Sequence, residues 1–99
     1  MILTVLEAHL PDGGDAKLRA AYAAAAAQAF PPGLVRTELL HDVREPARWR
    51  IQTWWSSMEA LQAMRSAGTP AGVLMFRAAG ADPALSMFEI EDALPRPGT

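Results

Sequence analysis

Residues 48–64 read RWRIQTWWSSMEALQAM and hold all three tryptophans of a 99-residue chain, Trp49, Trp54 and Trp55. The stretch changes period in its middle. From Arg48 to Trp55 it is built of branched and aromatic residues with two-residue alternation, so Trp49, Ile51, Thr53 and Trp55 point one way and Arg50, Gln52 and Trp54 the other. From there Met58, Leu61 and Met64 recur at helical spacing, and Ser56-Ser57-Met58-Glu59 fits a capping box that starts a helix at Ser56. A strand therefore runs straight into a helix, and the first set of strand residues is the one that faces it.

The same signals extend outward in both directions. A first strand over residues 2–10 stops at the turn cluster Pro11-Asp12-Gly13-Gly14, and Asp15 is the expected N-cap of a helix over residues 16–30. Leu18, Tyr22, Ala25 and Ala29 share one face of that helix, whose alanine run reads as composition and carries no functional weight. Pro31-Pro32-Gly33 ends it, and a strand over residues 34–42 is joined to the tryptophan strand by a turn containing Pro46. Beyond Gly68-Thr69-Pro70 a short helix over residues 71–79 precedes the last strand, residues 84–91. The order is βαββαβ, an α+β ferredoxin-like fold with helices on one face of a four-stranded antiparallel sheet. One domain is expected over residues 1–93, followed by a flexible tail at 94–99.

Such a sheet leaves one face bare. Alternation sets Ile2, Thr4, Leu6, Ala8 and Leu10 toward the helices and Leu3, Val5, Glu7 and His9 away from them. Leu3, Val5 and Trp54 would then stand in water unless a second subunit covers them, so a face-to-face homodimer is expected, with Trp54 as anchor and Glu7 paired to Arg50 across the central strands.

Composition excludes several classes. A net charge of -2 with scattered basic residues offers no track for a phosphate backbone, and the open face lacks the paired aromatics of an RNA-binding sheet, so no nucleic-acid partner is expected. The chain has no cysteine, and its opening MILTVLEAHL has neither a basic start nor an apolar run of membrane-spanning length. These features suit the cytoplasm, with no membrane partner. There is no nucleophile elbow, no phosphate-binding P-loop, no dinucleotide turn and no close histidine pair of a metal site.

Trp55-Ser56-Ser57-Met58-Glu59-Ala60-Leu61 resembles the W-x-S-x-E-A motif of the antibiotic biosynthesis monooxygenase family of dimeric α+β barrels. Pro32-Gly33-Leu34 and Phe76-Arg77-Ala78-Ala79-Gly80-Ala81-Asp82-Pro83 resemble further landmarks of that family. The resemblance implies a monooxygenase that uses neither metal nor flavin, because a deprotonated phenolic substrate reduces oxygen itself and becomes a quinone. It also implies a pocket between sheet and helices lined by the motif tryptophan, here Trp55, whose indole N–H would meet a substrate oxygen. Two polar positions of the type enzymes are replaced: an asparagine four residues before the tryptophan is Ile51 here, and a tyrosine six residues after it is Leu61. Their arginine has an approximate counterpart in Arg77, and the haem-degrading relatives' histidine has none between Thr69 and Ala81.

The candidate catalytic residues are accordingly Trp55 and Arg77 as anion stabilisers, Tyr22 as orienting group, and His9 or His41 as base, since only histidine titrates near neutrality unperturbed. Ile51, Leu61, Trp49 and Phe76 are expected to line the pocket, with no cofactor and no metal. Two readings stand: an oxygenase for a small aromatic phenol, and a non-catalytic dimeric module, binding a small molecule or structural, that has lost the polar pocket. An isomerase or lyase on the same barrel is not separable from these by sequence.

Overall fold

The computed structural model describes residues 1–96. Along them run β1 (Ile2–His9), α1 (Gly14–Ala25), β2 (Leu34–His41), β3 (Arg48–Trp55), α2 (Met58–Ser66), α3 (Ala71–Ala78) and β4 (Ala84–Glu89). The strands form one antiparallel sheet in the order β2-β3-β1-β4, so the fold is the α+β ferredoxin-like arrangement expected. Of the expected tail, residues 97–99 lie outside the described residues. No described helix is long and apolar enough to cross a membrane.

Element ends differ from the sequence reading for identifiable reasons. Gly13, at φ 81°, turns the chain into α1 two residues early, so Asp15 is not the cap; it sits in the first turn and accepts from Arg19 Nη1 at 3.3 Å. The helix stops at Ala25 rather than 30. Its last donors, Ala26, Ala27 and Gln28, bond three residues back, and the tightened end unwinds ahead of Pro31-Pro32. Helix α2 is capped by Ser57, not Ser56: Ser57 Oγ accepts from the Ala60 N–H at 3.1 Å, and Glu59 falls in the first turn, where its charge meets the helix dipole. The β3–α2 junction is pinned from β2. The Ser56 N–H donates to the Gly33 carbonyl at 2.8 Å, and Gly33 has φ 85° with a Cβ position that would collide with Ala60.

Alternation along the strands puts Trp49, Ile51 and Trp55 under the helices, where all three are buried. The core then separates into two clusters. Leu10, Leu18, Trp49, Ile51, Phe76 and Ala79 form the larger, Ile2, Trp55 and Leu61 the smaller. Phe76, Leu18 and Leu61 are sealed completely, each contributing about 1.5–3 kcal/mol by leaving water.

On the opposite face the expectation of three residues in water needs correction. Val5 is only 7 % exposed within the single chain, because a short side chain on a central strand is flanked on both sides, here by Gln52 and Ser86. Leu3 and Trp54 are half-buried, and the Arg36 guanidinium lies 5.7 Å from the Trp54 ring centroid. Strand β4 is the exposed one: Leu85 and Met87 on one face and Phe88 on the other are each about half exposed.

Candidate functional site

A cavity of about 270 Å³ opens between the helix-facing side of the sheet and α1, α3 and the α1–β2 connection. It lies where core side chains run out. Leu18, Tyr22 and Ala25 follow one another along the inner face of α1; Leu18 fills the large cluster, Tyr22 reaches the cavity edge, and Ala25 and Ala26 are too small to close the gap. On α3, Gly72 lets the backbone approach Leu6 and Ile51, because a Cβ there would fall 2.7 Å from Leu6 Cδ1. Phe30 and Pro31 form part of the rim.

The floor is a row of three threonines. Pairing sets Thr37 of β2 opposite Thr53 of β3, and Thr53 opposite Thr4 of β1, all on the helix face. The row divides the two core clusters: on β3, Trp49 and Ile51 lie to one side of Thr53 and Trp55 to the other. Its hydrogen bonds run in series. The buried Trp55 Nε1–H donates to Thr4 Oγ1 at 3.2 Å, Thr4 Oγ1 donates to the Thr53 carbonyl at 3.5 Å, and Thr53 Oγ1 bonds Thr37 Oγ1 at 3.3 Å. The Trp55 donor expected to meet a substrate oxygen is thus held by the protein. The Tyr22 side chain lines the cavity half-buried, and among the described residues its hydroxyl has no protein partner.

Other candidates fall elsewhere. Arg77 is 57 % exposed and donates from Nε to Asp82 Oδ1 at 2.9 Å, a surface pair outside the cavity. His9 pairs with Glu45 at 3.1 Å on the surface. His41 stacks on Trp49 with ring centroids 4.0 Å apart; its Nε2 bonds the Pro46 carbonyl at 2.7 Å, and since a carbonyl only accepts, that nitrogen carries the proton. Both histidines lie at the β1 and β2 ends, away from the cavity, so neither reaches a group bound there. Ile51 is on the cavity wall, whereas Leu61, Trp49 and Phe76 are spent on core packing because each is enclosed within its cluster. Trp49 Nε1 is buried without a hydrogen-bond partner.

Glu7, Arg48 and Arg50 form a separate ionic group where β1 meets β3. Arg50 Nη2 lies 2.6 Å and Arg48 Nη2 3.1 Å from the Glu7 carboxylate. Hydrogen bonds from Arg50 first, then Arg48, hold that carboxyl below its ordinary range.

Among the described residues no His, Cys, Asp or Glu cluster could hold a metal. Among the described residues no charged side chain lines the cavity; its polar groups are hydroxyls, the Gln28 amide and the engaged indole N–H. The row of threonines was missed by the sequence reading, although the alternation of β1 and β3 had already put Thr4 and Thr53 on the inner face. Only pairing register could align them with Thr37.

No functionally curated protein matches the chain in sequence. Solved structures do match in fold. A variant of SnoaB, a cofactor-independent oxygenase from Streptomyces nogalater, superposes with TM-score 0.73 at 21 % identity, covering 96 % of this chain and 97 % of that one. The haem-degrader MhuD from Mycobacterium tuberculosis, solved with two haems in its active site, gives TM-score 0.71 at 24 % identity over 95 % and 99 %. The sequence profile of the antibiotic biosynthesis monooxygenase family matches residues 1–69, from β1 through α2 and including the motif tryptophan Trp55 on the cavity wall; the chain belongs to that family.

Proposed function

We propose that the chain is a cofactor-independent monooxygenase-like protein acting on a small, flat, phenolic or quinone-forming aromatic compound bound in the cavity. The supporting observation is the cavity itself: an apolar slot beside the family's motif tryptophan, with the hydroxyl of Tyr22 unengaged. For an anthrone-type substrate the reaction balances without a cofactor. The methylene carbon loses two hydrogens and gains one oxygen atom from O2, and the second oxygen atom leaves as water. The electrons come from the deprotonated substrate. Tyr22 would orient the substrate oxygen and donate to the charge that develops on it. Trp55 supplies the wall.

The absence of any carboxylate, histidine or cation from the cavity lining favours a second reading, a non-catalytic module that binds the same kind of molecule. Oxygen uptake with a panel of anthrones and hydroquinones divides the two. The oxygenase reading expects uptake by wild type, reduced about ten- to a hundredfold in Tyr22→Phe and lowered in Trp55→Phe. Uptake no faster than buffer across the panel, with the same compounds bound in equilibrium dialysis, would leave only the binding module.

The proposal includes a cytoplasmic homodimer built on the open sheet face. Leu3 stands opposite both Trp54 and Phe88, an apolar row across three strands, and Phe88 is 54 % exposed in the isolated chain.

A further inference from the structure

We infer that the threonine row is a ligand anchor, and that with Tyr22 it selects an aromatic carbonyl compound over both its hydrocarbon analogue and a carboxylate-bearing derivative. The inference rests on the cavity being a binding site, the part shared by both readings of function, and it names the chemistry of the occupant.

Thr4 is closed, since its oxygen accepts from Trp55 and its proton goes to the Thr53 carbonyl. Thr37 and Thr53 together own two hydroxyl protons and share one hydrogen bond. One proton of the pair therefore has no acceptor among the described residues, whichever way the two rotors turn. Tyr22, from the helix wall, adds a second unengaged hydroxyl. A hydrocarbon laid against these donors leaves them unpaired, whereas a carbonyl oxygen of the same shape accepts from them.

The remaining lining sets the sign of the ligand. Leu6, Ile51, Leu34 and Met75 surround the row, and no cation faces it. A carboxylate or sulfonate would enter with its charge uncompensated, whereas a ketone oxygen needs only the O–H donors present. The lining includes the aromatic rings of Trp55 and Tyr22, against which a flat aromatic ring packs favourably. At about 270 Å³ the space suits two or three fused rings, being near the lower end of small-molecule pockets.

Three probes of one shape test this: fluorenone, which carries the carbonyl, fluorene, which lacks it, and fluorenone carboxylate, which adds a charge. Tryptophan-fluorescence titration of the full chain should show fluorenone binding about three- to tenfold tighter than fluorene, and at least about tenfold tighter than the carboxylate. In the double variant Thr37→Val with Thr53→Val, which removes both hydroxyls, the preference over fluorene should shrink toward unity while fluorene affinity is not weakened. The double variant Thr37→Ser with Thr53→Ser, which keeps both hydroxyls, should retain it. Equal binding of fluorenone and fluorene by wild type, or carboxylate binding as tight as fluorenone, would overturn the inference. So would an undiminished preference in the double valine variant with a native thermal melt. Binding of none of the three would overturn the cavity as a site and the function with it, whereas oxygen uptake, measured separately, bears on catalysis alone.

Discussion

At the scale of single residues, Trp55 and Thr4 illustrate how a marker residue is committed before any ligand arrives. The indole N–H sits in a buried place and has one acceptor, Thr4 Oγ1. Thr4→Val keeps the shape and removes that acceptor, leaving a buried donor unpaired. We expect a loss of about 1–3 kcal/mol in urea unfolding, exceeding that of Thr37→Val, whose partner Thr53 faces the cavity. Glu7 makes a second prediction. Its carboxyl is held below its ordinary value of 4.5 by hydrogen bonds from Arg50 and then Arg48. A depressed native value means the unfolded chain binds the proton first, so the contribution is complete above pH 4.5 and is lost as pH falls through the native value. Asp42, held down by the backbone N–H groups of Glu45 and Arg44, adds a loss of the same sign. The stability gap between wild type and Glu7→Gln should therefore narrow between about pH 7 and about pH 3, and a constant gap in urea midpoints would contradict the assignment.

At the scale of elements, α1 is the one whose composition misleads. Its alanines look like bias in the sequence, yet in the fold Ala25 and Ala26 are the reason the layer between helix and sheet is incomplete. Tyr22 and Leu18, on the same face, were legible from their four-residue spacing; the hole beside them was not, because a gap belongs to two surfaces and only one is on the helix. Ala25→Leu should fill the cavity from the helix side. Its folded state should change by no more than about 1 kcal/mol, since empty space takes up the side chain, while affinity for the fluorenone probe falls at least about tenfold. A circular-dichroism melt beside the binding titration reads both. The ends of α1 and α2 carry a related lesson: Asp15 and Ser56 have the right chemistry for caps, but Gly13 and Ser57 have the backbone geometry in this chain.

At the scale of the whole molecule, helices cover most of one face of the sheet, and the chain itself covers only part of the other. Val5 is covered by its own chain, and Leu3, Trp54 and Phe88 remain as an apolar row, separated by Gln52, Val5 and Ser86 from the charged group of Glu7, Arg48 and Arg50. We expect sedimentation at micromolar concentration to give twice the monomer mass. Phe88→Glu should shift the distribution to monomer without unfolding it, because the side chain is already half exposed within one chain and its charge would be unpaired only at an interface. A wild-type monomer would remove the homodimer from the proposed function while leaving the cavity argument standing.

The order of elements, the inner faces of β1 and β3 and the family motif at Trp55 were determined by the sequence alone. They depend on local periods of two and about four residues and on a short motif, all of which a linear string contains. The pairing of Glu7 with Arg50 was likewise readable from alternation. What tertiary structure decided was which polar groups end up together. Strand register brought Thr37, Thr53 and Thr4 into one row, and helix packing left a cavity above it. The same packing carried Arg77, His9 and His41 to the surface and away from that cavity. Register and packing are set by the fit of whole surfaces to one another, so a chemically plausible histidine or arginine in the chain says nothing by itself about the site it will reach.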